Sequence, residues 1–367
     1  MEQKEKVSGT QVAVLLFIFI TATLTLYVPS YSAREAKESA WLAVSVIPLV
    51  YGYLTLRVVY KLGCYFPELT FYQYCEVILG KFLGKGLGVI YIVAMMATNI
   101  LILREFSDFL SLTTLPLTPQ IFLLTTIVAL ASYGAYKGLE VIVRAVQFVF
   151  IIYSISSLTI ILYALTNFKV ARLLPILEEG VLPIIRGSIA PASWYGQIFV
   201  VAFIFPFVNK PKELKRKGTV TLVAITVFAI LDVAITVGVF GANFTSSITF
   251  PIWYLANSIA LGQLVQRIES FLLVFWICGI FIKATFFSFI VGLGITQVFG
   301  FKNTKAVLST TAVIEVVIAN NFFSGASLVQ FIVCYIWPTV GIVFCFFIPL
   351  LLLAIAKLRM KHRSSPN

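Results

Sequence analysis

The chain has 367 residues, of which 60% are hydrophobic and only 11% charged, with a mean hydropathy of +1.00. A soluble domain of this length has too little polar surface to cover so much apolar material, so the soluble classes are excluded. The formal net charge of +12 then points to one face of a membrane rather than to nucleic acid.

Long apolar runs separated by short polar breaks predict membrane-spanning helices, each crossing about 30 Å of hydrocarbon. The runs are too continuous for barrel strands, which alternate over about ten residues, so the expected class is an all-α integral membrane protein. In chain order the spans are 11–31, 40–62, 87–111, 120–136, 139–166, 187–208, 219–242, 268–298, 306–322 and 327–356. The first run does not read as a cleaved signal peptide, because Lys4 and Lys6 are offset by Glu2 and Glu5 and no small-residue cleavage site follows. Segments 65–83 and 250–266 are apolar but interrupted, and are expected at the headgroup level.

Most of the 27 Lys and Arg residues fall in segments that face one side when the N-terminus is cytoplasmic. They include Lys81, Lys85, the Lys210–Lys217 stretch and the tail 357–367. The positive-inside rule therefore places both termini in the cytoplasm. Ten spans split into two sets of five, and an odd number inverts the second set relative to the first. The chain is then one transmembrane domain, 1–367, with repeat one at about 11–166 and repeat two at about 187–356, the layout of inverted-repeat transporters.

In such a layout, interrupted helices at matched positions mark the binding site. Span one carries Thr21, Ala22, Thr23 and Thr25, then Pro29; span six carries Gly187, Ser188, Pro191, Ala192, Ser193, Trp194, Tyr195, Gly196 and Gln197, then Pro206. Small, hydroxyl, Gly and Pro residues let a helix unwind, and the freed amides and carbonyls can bind an amino acid's carboxylate and amine. Alternatively, the hydroxyls bond back to their own helices and the small residues serve close packing. Asn99 in span three is a further ligand candidate; its alternative is an ordinary interhelical hydrogen bond.

Asp232, Lys283, Glu315 and the Arg104/Glu105/Asp108 cluster place charge within or near the ends of apolar runs. Each costs about 2.5–3.5 kcal/mol at a helix centre on insertion scales, so each needs protein or water beside it. The five cysteines have no metal-ligand spacing and the single histidine, His362, lies in the basic tail. No nucleophile–base pair or paired-carboxylate motif is present, so neither an enzyme nor a metal or cofactor site is expected.

Five stretches carry a family resemblance: Leu79-Gly80-Lys81-Phe82-Leu83-Gly84, Gly138 to Arg144, Leu173 to Gly180, Asn209 to Lys217, and Gln266 to Trp276. On these the chain resembles the B subunits of the GerA-type nutrient germinant receptors of endospore-forming bacteria, a branch of the amino acid/polyamine/organocation transporter superfamily. The resemblance implies a LeuT-like fold of ten helices in a five-plus-five inverted repeat with helices one and six discontinuous. It also implies residence in the spore inner membrane and partnership with an A subunit and a C lipoprotein subunit. The implied activity is sensing a nutrient germinant, such as an amino acid, between helices one and six; a proton-coupled amino acid permease of the same fold is the alternative.

Relatives often have glycines in the span-one break, where this chain reads Ile20-Thr21-Ala22-Thr23-Leu24-Thr25. The resemblance thus leaves three outcomes: a smaller site, a different germinant, or no direct binding. In sodium-coupled relatives spans one and eight hold a structural sodium ion. The Lys283 ammonium either takes that place, fixing span one without sodium or titrating as a coupling proton site, or packs between helices paired with Glu315 or Asp232.

Overall fold

Ser8 caps the first helix: its hydroxyl accepts from the Gln11 amide while the Gln11 side chain accepts from the Ser8 amide. This reciprocal pair satisfies two of the orphan donors of a helix start. The resulting helix, α1 (Gly9–Ala36), opens a computed structural model that describes residues 6–258 and 269–363. Lys4, residues 259–266 of the second interfacial segment, Gln266-Arg267-Ile268 and the end of the basic tail lie outside the described residues.

The first half continues with α2 (Val46–Tyr65), a short α3 (Phe71–Leu79), the long α4 (Lys81–Thr113), α5 (Gln120–Tyr136) and α6 (Leu139–Ala164). The second half runs α7 (Leu182–Phe207), α8 (Pro211–Phe240), two short helices α9 (Ala242–Ser247) and α10 (Pro251–Ser258), the long α11 (Glu269–Phe299), α12 (Thr304–Asn321) and α13 (Ala326–Arg359). Each half is therefore two spanning helices, a short interfacial element, a long helix and two more spanning helices. Of the short elements, α3 and α10 fall within the expected interfacial segments 65–83 and 250–266, while α9 lies before the second of them. Among the described residues there is no β-strand, only an isolated bridge that joins Val7 to Val208.

Seven of these helices are long and apolar enough to cross a bilayer; α5 is apolar but shorter. The helices α2 and α12 carry Arg57, Lys61, Lys305 and Glu315, and complete the set of ten. The protein is a multi-pass membrane protein. The centre belongs to the first helix of each half: 83% of the most apolar window of α1 is buried and 89% of that of α7, against 28% for α6 and for α13. Without a hydrophobic drive between helices in lipid, such packing depends on small residues that admit close approach. Ala22 on α1 meets Gly279 on α11 in this way, and a methyl added at Gly279 would lie 2.9 Å from the Ala22 methyl.

The two expected helix breaks come out differently. The first helix is continuous through Thr21–Thr25 and through Pro29. Threonine, unlike glycine, does not readily leave the right-handed region, and the Thr21 hydroxyl bonds back to the Phe17 carbonyl at 2.7 Å. The expectation of freed backbone groups in helix one is therefore corrected. The helix α7 is discontinuous: α-helical pieces Leu182–Gly187 and Ile189–Gly196 meet at Ser188, and Gln197–Val200 tightens into a 3-10 turn. Such mid-helix changes of pitch commonly mark hinges or sites. In α13, wider π-type turns at Ile332–Ile336 and Val343–Phe347 flank Pro338, facing the same region of α7.

Candidate functional site

Four side chains from three helices form the polar centre of the bundle. Lys283 of α11 is fully buried, and its ammonium donates to the Thr23 hydroxyl of α1 at 2.6 Å and to Gln197 Oε1 of α7 at 2.8 Å. It also lies 4.9 Å from the centre of the Phe19 ring, within range of a cation–π attraction. The Trp194 indole N–H donates to the same Thr23 hydroxyl at 2.9 Å. A hydroxyl oxygen has two lone pairs, so Lys283 and Trp194 together use all the acceptor capacity of Thr23. One threonine thereby fastens the Ile189–Gly196 piece of α7 and the middle of α11 to α1, and Lys283 links on to the 3-10 turn through Gln197.

The pitch change at Gln197 aims its amide both at Lys283 and into a cavity with about 40 Å³ open to the centre of a water molecule. Ser193, Thr98, Phe287, Trp337 and Gly341 share that lining. The volume admits one or a few water-sized groups, and the lining offers hydroxyl and amide groups from Thr98, Ser193 and Gln197 beside aromatic surface from Phe287 and Trp337.

The structure brings Thr23, Trp194, Gln197 and Lys283 into one network and puts Ser193 on the rim of the adjoining cavity. Thr21 lies beside it, accepting from the Tyr153 hydroxyl at 2.9 Å, which ties α1 to α6. Thr25 faces a separate cavity with Asp232. Ala22 is packing against Gly279, and Ala192 is buried within α7. The Tyr195 hydroxyl donates to the Val44 carbonyl at 3.2 Å, holding α7 to the start of α2. Asn99 points away from the network, donating to Glu315 Oε1 at 3.0 Å and to the Ser288 hydroxyl at 3.4 Å.

These contacts correct the alternative pairing considered for Lys283. Glu315 is held by Asn99 and Asp232 lies beside Thr25, while Lys283 bonds the neutral oxygens of Thr23 and Gln197. Arg104 pairs with Asp108 at 2.9 Å one helical turn on and also donates to the Ala319 carbonyl at 3.1 Å, while Glu105 Oε2 and Asp108 Oδ2 are buried without a hydrogen-bond partner. Sequence reasoning missed Thr98, Phe287, Trp337 and Gly341. Pro338 and Gly341 inside an apolar run were a signal for α13; the other two carry none.

Ten helices in two inverted sets of five, with the first helix of each set at the centre, define the LeuT-type transporter architecture. Solved structures of that class match over almost the whole chain. MhsT in complex with L-phenylalanine superposes with a TM-score of 0.64 at 13% identity, covering 97% of this chain and 99% of its own. A Na+-coupled sialic acid symporter in a substrate-bound outward-open state gives 0.62 at 11% identity, covering 95% and 79%. The chain belongs to the spore germination protein family, whose model matches residues 6–326. It is 25% identical to the Bacillus subtilis spore germination protein YndE, covering 97% of this chain and 98% of that one. It is also 24% identical to B. subtilis spore germination protein KB, with 87% of each chain covered.

Proposed function

We propose that this chain is the nutrient-sensing membrane subunit of a germinant receptor, and that its germinant, an amino acid, binds at α7 with its carboxylate entering the cavity beside Gln197, which widens to admit it. The observation that carries the reading is the Lys283 bridge, which joins α1 to α7 through Thr23 and Gln197. A ligand carboxylate entering this cavity competes with Gln197 for the ammonium as a charge-assisted partner, the stronger kind of hydrogen bond. Release of Gln197 loosens the 3-10 segment of α7 from α1 and α11, and shifts the populations of two conformations. Because α1 stays helical through Thr21–Thr25, recognition falls to side chains rather than to an unwound backbone. The Lys283 ammonium supplies the positive charge beside α1 that a structural sodium ion supplies in sodium-coupled transporters.

On this reading the conformational change passes to an A subunit and a C lipoprotein subunit in the spore inner membrane, with both termini of this chain cytoplasmic. The family membership and the names of its relatives support that placement. Membrane lipid is the remaining partner, and no nucleic acid takes part. A second reading, a proton-coupled amino acid permease, draws support from the transporter architecture itself, since fold does not fix function.

Two measurements separate the readings. Spores lacking this chain should lose their response to one class within a panel of amino acids, sugars and nucleosides; an unchanged response to every nutrient in a strain without redundant receptors contradicts the sensing role. Vesicles containing this chain alone should bind but not accumulate labelled amino acid. Robust gradient-driven uptake establishes the permease instead.

A further inference from the structure

The stretch Leu79-Gly80-Lys81-Phe82-Leu83-Gly84, one of the five that carry the family likeness, takes no part in the Lys283 network. It ends α3 and begins α4, with Gly80 at a φ of +88° turning the chain between them. Beside it a surface groove of about 850 Å³ lies between α4 and the last turn of α11. Lys81 and Lys85 line the end nearer water, one helical turn apart on one face of α4. No Asp or Glu lines the groove, and neither lysine has an ion-pair or hydrogen-bond partner among the described residues. Further along, Leu87, Val89, Ile90 and Phe299 offer only apolar surface, and Phe82 at the entrance is 90% exposed. The two helices meet at Gly88, where an added methyl would lie 2.9 Å from the Val298 side chain, itself part of the lining.

Depth and charge select the occupant. From Lys81 to Ile90 the helix rises about 14 Å, which carries the lining from headgroup level into hydrocarbon. The occupant therefore needs a negative charge at one end and an apolar body at the other. A free phosphate suits the lysines but leaves the apolar walls bare. A peptide brings backbone N–H and C=O groups to a depth where they find no partners. A zwitterionic lipid sets its own ammonium against the two lysines. An anionic phospholipid meets both demands, since a phosphate pairs with two cations while acyl chains cover the apolar surface. We propose that this groove binds one anionic phospholipid, its phosphate held by Lys81 and Lys85 and its acyl chains laid along Leu87, Ile90 and Phe299. A lipid seated there braces the end of α11, the helix that carries Lys283, against the start of α4.

The proposal does not rest on the germinant reading, because binding is measured with no nutrient present. The purified full-length chain in detergent micelles is titrated with phosphatidylglycerol or with phosphatidylcholine of the same acyl chains. Bound lipid is counted by native mass spectrometry. Wild type should hold one phosphatidylglycerol at least about fivefold more tightly than phosphatidylcholine. Lys81→Gln combined with Lys85→Gln should remove that preference. Lys212→Gln combined with Lys215→Gln, an exposed basic pair at the start of α8 outside the groove, should keep it. Gly86→Leu should weaken retention of both lipids several-fold with the lysines intact, because its side chain enters open space in the groove. All three variants should keep the wild-type elution volume on gel filtration. Equal affinity of wild type for the two lipids overturns the site, as does a wild-type preference in the Lys81/Lys85 variant. Equal losses from the two lysine pairs also overturn it, since they assign the preference to the charge of the whole face. Unchanged retention in Gly86→Leu contradicts the placement of the acyl chains.

Discussion

Replacing Lys283 with methionine is expected to abolish the germinant response at normal protein levels. Methionine keeps most of the volume of the side chain and loses the charge and both hydrogen bonds, to Thr23 and to Gln197. Hydrogen bonds to a charged group contribute about 1.5–3 kcal/mol each, so the balance between bridged and unbridged conformations shifts by about a hundredfold or more. The bundle survives because the apolar contacts of α11 remain and the Phe19 ring packs against methionine as readily as against an ammonium. Lys283→Arg should also fail, since a planar fork does not fit a fully buried position that holds a compact ammonium. Germination rate against nutrient concentration, with immunoblots for protein level, makes the test. Wild-type germination in the methionine variant removes the bridge from the mechanism.

The second large effect is expected at Gly84, in the turn of α4 that crosses α3. A methyl placed there would lie 2.4 Å from the Glu76 Cα and 2.6 Å from the Cys75 carbonyl oxygen. These are backbone atoms of α3 and cannot rotate away, so the two helices must separate. Overpacking costs about 1–3 kcal/mol where side chains can yield; here the cost should reach or exceed the top of that range. Gly84→Ala should therefore reduce the amount of protein in the membrane several-fold. Gly86, two residues on, has open space where its methyl would go, and Gly86→Ala should be neutral or stabilising by up to about 1 kcal/mol through helix propensity. Equal levels of the two variants would contradict the close α3–α4 packing.

Much of the fold was legible because lipid imposes it. Apolar run length counts the spans, and the ten runs reappear as helices with ends shifted by up to eight residues, the largest shift at the start of α8 (Pro211 against the expected 219). The interfacial segments were legible from their interruptions, and α3 and α10 fall inside them. The site was legible in part. Thr23, Trp194, Gln197 and Lys283 were all singled out, because hydroxyls, a glycine-flanked aromatic and a lone charge are conspicuous in apolar sequence. Their mutual contacts were not, since Lys283 lies 260 residues from Thr23 and 86 from Gln197. Sequence offered Glu315 and Asp232 as its partners on charge alone, whereas the geometry gives neutral oxygens. The helix-one break failed for a related reason: a row of threonines signals polarity at the right place, but polarity is not unwinding, and their hydroxyls are taken up by Phe17, Tyr153, Trp194 and Lys283.

The most direct test of the sensing site uses Gly341, which lines the cavity opposite Gln197. A methyl added there would come 3.4 Å from the Ser193 side chain, an ordinary contact that fills space without forcing the helices apart. Spores carrying Gly341→Ala should need at least about tenfold more amino acid for half-maximal germination, a loss of about 1.4 kcal/mol of binding. Their maximal rate and protein level should be unchanged. A concentration–response curve identical to wild type would place the germinant somewhere other than the cavity between α7 and α13.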